Sequence, residues 1–152
     1  MKRILSILFI ATLCVPFQLS SQSTAPEDAI MGVWETGNGK ARVQIKKFKN
    51  TYYGQIVWLK EPLNEEGKPK VDKNNPDETY RTKPLLGYRN LLSFEYKGNN
   101  LWENGTIYDP ESGSTYNCKI EMPDNNTLNI RGFIGVSVFG RTDVWKRMVI
   151  TK

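Results

Sequence analysis

Along residues 115–122 polar and apolar side chains alternate without a break. Tyr116, Cys118, Ile120 and Met122 fall on one side, and Thr115, Asn117, Lys119 and Glu121 on the other. A period of two with one polar face is the pattern of a half-buried antiparallel strand. Just before it, Asp109-Pro110-Glu111-Ser112-Gly113 sets a proline that fixes φ ahead of a glycine that can take positive φ. That is turn chemistry, so the stretch from Trp102 to Met122 predicts a β-hairpin.

The rest of the chain repeats this plan. Met31 to Thr36 ends at the turn cluster Gly37-Asn38-Gly39, and Ala41 to Phe48 alternates up to a reversal at Lys49-Asn50. Thr51 to Lys60 is rich in aromatic and β-branched residues, with Gly54 placed for a bulge. Arg89 to Lys97 precedes the hairpin. Pro123-Asp124-Asn125-Asn126 then turns the chain into Thr127 to Ile134, and Arg141 to Ile150 is the last strand. The count is eight strands and no long helix. Sequential strands joined mainly by tight turns predict an all-β, eight-stranded antiparallel up-and-down barrel, because closure removes exposed sheet edges. A two-sheet sandwich is the competing architecture.

One connection breaks the pattern. Glu61 to Tyr88 is long, polar and punctuated by Pro62, Gly67, Pro69, Pro76, Pro84 and Gly87. Within it Asn75 as N-cap, Pro76 at the first helical position, and Asp77 and Glu78 in the first turn predict a short helix. Tyr80, Arg81, Leu85 and Leu86 are its expected anchors to the barrel. Loops of this length in compact domains are functional or disordered, and for this one a lid packed for stability is the alternative to a binding loop.

The first residues follow a different logic. Lys2 and Arg3 precede a largely apolar run from Ile4 to Phe17, and Ser21-Gln22-Ser23 offers small residues for cleavage. Residues 1–23 therefore predict a signal peptide, residues 24–30 a short polar lead-in, and residues 31–152 a single barrel domain that is exported, periplasmic or secreted. No stable membrane span is expected after cleavage. Cys14 inside the apolar run follows Leu13, where lipid attachment calls for a small residue.

Losing Lys2 and Arg3 with the leader lowers the formal charge from +5 to +3. The basic residues form no long run, so nucleic acid is not an expected partner. Cys118 is then the single cysteine and cannot form an internal disulfide; its place on the apolar strand face makes it a small buried hydrophobe. The chain has no histidine, which removes histidine-based triads and metal sites. The carboxylate pairs Asp77/Glu78 and Asp109/Glu111 suit a helix start and a turn better than paired acid–base work. No enzyme activity, cofactor or metal is expected.

Three spaced motifs carry a resemblance. They are Asp72-x-x-Asn75-Pro76-Asp77-x-x-x-Arg81-x-x-Pro84-Leu85-Leu86-Gly87, then Gly105-x-Ile107-Tyr108-Asp109-Pro110-x-x-Gly113-x-x-Tyr116. The third is Leu128-x-x-Arg131-Gly132-Phe133-Ile134-Gly135 with Gly140-Arg141-Thr142-x-x-Trp145-x-Arg147. Together they resemble the exported bacterial domain-of-unknown-function family 2147, and Gly32-x-Trp34 resembles the opening signature of lipocalin-like barrels. The resemblance implies a lipocalin-like (calycin-like) barrel and supplies no catalytic residues. It also implies a closure device in which Trp34 plugs one end and a basic side chain of the last strand crosses its indole face. Arg147, on the strand face of Trp145, is the expected partner and Arg141 the alternative.

Two functions follow as expectations. One is binding of a small apolar or amphipathic ligand within the barrel, lined from the stock of Tyr52, Tyr53, Trp58, Phe94, Tyr96, Tyr108, Tyr116 and Phe133. The alternative is a cell-envelope interaction module presenting loops, with Val136, Val138 and Phe139 as an exposed patch. A deep lined cavity favours the first, and an exposed patch the second. The polar site candidates, where the long loop meets the barrel, are Asp72, Asn75, Arg81, Tyr108, Asp109 and Arg131. Arg81 is expected to pair with Asp109 or Asp72. Arg131, beside Gly132, is the expected receiver of an anionic headgroup.

Overall fold

The computed structural model describes residues 26–149. The expected leader, residues 1–23, lies outside them. Eight strands follow in order: β1 (Gly32–Glu35), β2 (Ala41–Phe48), β3 (Thr51–Leu59), β4 (Arg89–Gly98), β5 (Leu101–Asp109), β6 (Ser114–Asp124), β7 (Thr127–Phe133) and β8 (Arg141–Arg147). Each pairs antiparallel with the next, and β8 returns to β1 through Trp34↔Arg147 and Glu35↔Lys146. The sheet is a closed barrel, which settles the choice against a sandwich. The last strand stops at Arg147, earlier than the expected Ile150.

Up-and-down order puts the β2–β3, β4–β5 and β6–β7 turns at one end. The opposite end collects residues 36–40, 60–88, 110–113 and 134–140. The first end is plugged. Residues 26–30, expected as a lead-in, instead form a 3-10 turn (Pro26–Ile30) with Ile30 fully buried. Its backbone oxygens are the receiving side of the plug. Trp34 Nε1 donates to Ile30 O at 2.8 Å and Trp102 Nε1 to Glu27 O at 3.2 Å. Asp28 accepts from Tyr52 Oη at 2.7 Å and from Lys47 Nζ at 2.9 Å.

Inside, the alternation read from β6 holds: Cys118, Ile120 and Met122 are buried and Lys119 and Glu121 face outward. Trp34, Trp102, Trp145, Tyr52 and Phe94 are buried in the closed half and pack it with large rings. The fit is tight enough to require glycine. A Cβ on Gly54 would lie 2.7 Å from Val43 and 2.8 Å from Leu91. Gly54 also interrupts the β3–β4 register, as expected of a bulge.

The turn between β5 and β6 forms as predicted. Asp109 accepts from the Glu111 amide at 3.0 Å and from Ser112 Oγ at 2.7 Å, and Gly113 takes φ +69°. The short helix in the long loop is shifted from its expected start. A 3-10 turn spans Glu78–Tyr80 and is capped by Asp77, whose side chain accepts from the Thr79 amide at 2.9 Å. Asn75 is not that cap: its Oδ1 accepts from the Asp77 amide at 2.9 Å while its NH2 group turns inward. Among the described residues no helix is long and apolar enough to cross a membrane.

Candidate functional site

The long loop is fastened by a buried polar cluster. Asp72, 1% exposed, accepts from Tyr108 Oη at 2.7 Å and from Asn75 Nδ2 at 2.6 Å. Asn75 Nδ2 also reaches Tyr88 Oη at 3.4 Å, and the Tyr88 and Tyr108 rings sit 5.4 Å apart. Burial, and then the Asp72 carboxylate beside it, pushes the Tyr108 phenol well above its ordinary value; the same two causes raise Tyr88. Both phenols therefore stay protonated near neutral pH, where they can donate hydrogen bonds but cannot act as bases. Tyr88 was missed by sequence reasoning, although its position at the loop's end was a signal.

The cluster stands on the outside of the barrel. Ile107 packs on the core, and β5 is regularly paired from Ile107 to Asp109, so Tyr108 points outward. Gln55, between buried Gly54 and Ile56, holds Gly87 O at 2.8 Å, and Asn74 Nδ2 holds Pro110 O and Glu111 O at 3.1 and 2.9 Å. The loop is thus a strap along the wall.

The other candidates go elsewhere. Arg81 pairs with neither Asp72 nor Asp109. It reaches Glu78 at 2.9 Å and Asn75 O at 2.8 Å on the exposed side of the strap. Asp109 is spent on its own turn. Arg131 is not free to receive a headgroup: it donates to Ser137 O at 2.6 Å, Val138 O at 2.9 Å and Thr142 Oγ1 at 2.9 Å. The expected anchors Tyr80 and Leu86 are exposed.

Among the described residues, the aromatic side chains expected to line a cavity are largely spent on packing. Tyr52 and Phe94 are core, Tyr96 packs on Trp102, and Tyr53 and Trp58 lie under Arg89 and Arg42 at 4.5 and 4.4 Å. Two surface depressions, lined by Glu27, Lys47, Tyr52, Tyr96 and neighbours and by Asn99–Leu101 and Glu121–Pro123, lie among the turns of the plugged end. At the open end the inward-facing Ile107, Tyr116 and Gly132 are only half-buried, forming a shallow mouth.

Beside this mouth four large apolar side chains of one loop are exposed. Ile134, Val136, Val138 and Phe139 are 76%, 62%, 75% and 84% exposed. They belong to one loop, residues 134–140, containing a 3-10 turn (Ser137–Phe139). The turn bonds itself through Phe139 N to Val136 O at 3.3 Å and Gly140 N to Ser137 O at 3.1 Å. Arg131 completes the fastening from β7.

A closed eight-stranded barrel, plugged at one end by a tryptophan under an arginine, is a lipocalin-like fold. The chain belongs to the bacterial family described as "uncharacterized protein conserved in bacteria" (DUF2147), which matches residues 32–147. Among solved structures it is similar to protein HP1028 from the human pathogen Helicobacter pylori, described as belonging to the lipocalin family. The two share 21% identity with a TM-score of 0.69, over 79% of this chain and 83% of that one. At that identity the likeness concerns the fold. No curated protein matches the chain.

Proposed function

We propose that this chain is an exported docking protein that engages an apolar partner surface through loop 134–140 at the open end of its barrel. The observation that carries this reading is the loop itself: four large apolar side chains stand in solvent on a backbone held in one shape by Arg131. A floppy apolar loop would lose ordering entropy on binding; a fastened one has lost most of it already. Isolated exposed apolar residues are ordinary, but a contiguous group marks an interaction site. The filled closed half of the barrel weighs against enclosure of a ligand there. Export rests on the Lys2, Arg3 and apolar-run pattern of the leader. The reading is non-enzymatic, consistent with a Cys118 thiol that burial pushes up to about 12.

A second reading has one observation of its own. The inward positions Ile107, Tyr116 and Gly132 are only half-buried at the mouth, where a small amphipathic molecule would enter. Hydrogen exchange with and without envelope extract from the host separates the two. Docking requires protection confined to residues 134–140 and lost in Phe139→Ser. No protection there, with slowed exchange on β5–β7 and a co-purifying small molecule in native mass spectrometry, would replace docking with ligand binding.

A further inference from the structure

We infer that the surface met by loop 134–140 is a lipid bilayer carrying anionic headgroups, an inference that rests on the docking reading above. Between Arg131 and Arg141 lie nine residues with no charge, Gly132-Phe133-Ile134-Gly135-Val136-Ser137-Val138-Phe139-Gly140. Apolar side chains crowd the tip and a cation stands at each boundary. This is the arrangement of an interfacial anchor, apolar groups entering the acyl boundary while arginines remain among headgroups.

The backbone separates lipid from a protein partner. A protein surface can supply donors to carbonyls that arrive unpaired, but the acyl region cannot, and each unsatisfied group there costs several kcal/mol. Three carbonyls of this tip, those of Val136, Ser137 and Val138, are satisfied before any partner arrives. Val136 O accepts from Phe139 N, Ser137 O from Gly140 N and Arg131 Nε, and Val138 O from Arg131 Nη2. Arg131 thus performs two tasks, covering the carbonyls that would otherwise resist burial and keeping its positive charge at the loop's base.

Charge complementarity points the same way. Among the described residues neither Arg131 nor Arg141 makes an ion pair, whereas Arg42, Arg81 and several lysines do. Arg141 is exposed at the start of β8, directly across from Gly132. Arg141 is the cation exposed to meet a headgroup, while Arg131, its donors spent on the loop and on Thr142, adds only its charge. Beside an uncharged apolar tip the two match a surface with negative headgroups over hydrocarbon. A single short loop is also a poor basis for a stable protein complex, which needs about 800 Å² on each partner.

The test is flotation of the processed chain with phosphatidylcholine vesicles and with vesicles of phosphatidylcholine and phosphatidylglycerol in equal parts. Binding is expected to the mixed vesicles, weaker to phosphatidylcholine alone, and reduced by added salt. Val138→Ser with Phe139→Ser should lower it by about tenfold or more, and Arg141→Gln by about fivefold. These positions are exposed, so near-ultraviolet circular dichroism should remain that of the parent. Phe139→Trp, read against an otherwise identical parent spectrum, should blue-shift with the mixed vesicles. Flotation indifferent to the loop substitutions, or equal on both vesicles, overturns the inference. No flotation, with delipidated envelope protein still protecting residues 134–140 from exchange, overturns the lipid partner and leaves docking standing. Protection by neither removes both.

Discussion

The Arg147 guanidinium lies 4.0 Å from the centre of the Trp34 ring, and the two residues face each other across the β1–β8 seam that closes the barrel. The same guanidinium donates to Met31 O at 2.9 Å and Ala29 O at 2.7 Å, and its Nε donates to Asn125 O. One side chain therefore ties the last strand to the plug, the first strand and the β6–β7 turn. Gly32 makes the crossing feasible: a Cβ there would sit 2.8 Å from Arg147 Nη1, and its φ is +132°. That gives a physical reason for the glycine two residues before the tryptophan.

Trp34→Ala should cost about 3–5 kcal/mol, since the ring is fully buried and leaves a cavity. Arg147→Met should cost about 2–4 kcal/mol through the carbonyls it abandons. In urea denaturation the double variant should fall short of the sum by about 1 kcal/mol, the stacking energy both singles lose. Strict additivity would mean that the contact carries no energy.

Acid stability should depend on Asp28. Its carboxyl is held below the usual carboxylate range, first by the hydrogen bond from Lys47 and then by that from Tyr52. A lowered native value means that the unfolded chain binds the proton more readily. The stabilisation is therefore complete above the unfolded value near 3.8 and disappears as pH falls through the lower native one. The urea midpoint of the parent should drop across that window, and Asp28→Asn should show a shallower fall. Equal slopes would detach Asp28 from the plug's stability.

The strands were legible because alternation is a long, redundant signal: ends at Ala41, Phe48, Thr51 and Thr127 fall where turn residues place them. The plug was not. Its work is done by backbone oxygens of Glu27, Ala29, Ile30 and Met31, and no side-chain identity announces a carbonyl. The strap was half legible. Asp72, Asn75 and Tyr108 do come together, but Arg81 looked like their cation because burying a carboxylate beside hydroxyl and amide donors instead of a guanidinium leaves no pattern in composition. Asn75 and Asp77 are both good caps two residues apart, and only the inward pull of Asp72 decides which one starts the turn.

The strap's anchoring can be separated from its former candidate. Tyr108→Phe removes a buried donor to Asp72 and should cost about 1–3 kcal/mol. Amides of Asp72 and Asn75, bonded to Lys83 O and Asp72 O, should then exchange faster. Arg81→Met should change stability by less than about 0.5 kcal/mol, because its carboxylate partner Glu78 is highly exposed. A large effect of Arg81 with none of Tyr108 would return the anchoring role to the arginine.

Arg131 should govern the loop without governing the barrel. Its donors go to Ser137 O and Val138 O on the β7–β8 connection and to Thr142 Oγ1 at the start of β8, while the core contacts of β7 are made by Leu128 and Ile130. Arg131→Met keeps the stem against the strand and removes the three bonds. Phe139 N and Gly140 N, whose partners are Val136 O and Ser137 O, should then lose exchange protection, since the turn is only three residues long and cannot hold itself. Global stability should fall by about 1 kcal/mol or less, as expected of a half-exposed strand position. Arg131→Lys retains the charge but cannot reach three acceptors in a fork, so it should behave as Arg131→Met in exchange. If Lys restored protection, charge would be fastening the loop. If neither substitution altered exchange at Phe139 and Gly140, the loop would owe its shape to the tight passage at Gly140, where a Cβ would come within 2.6 Å of Gly132 O.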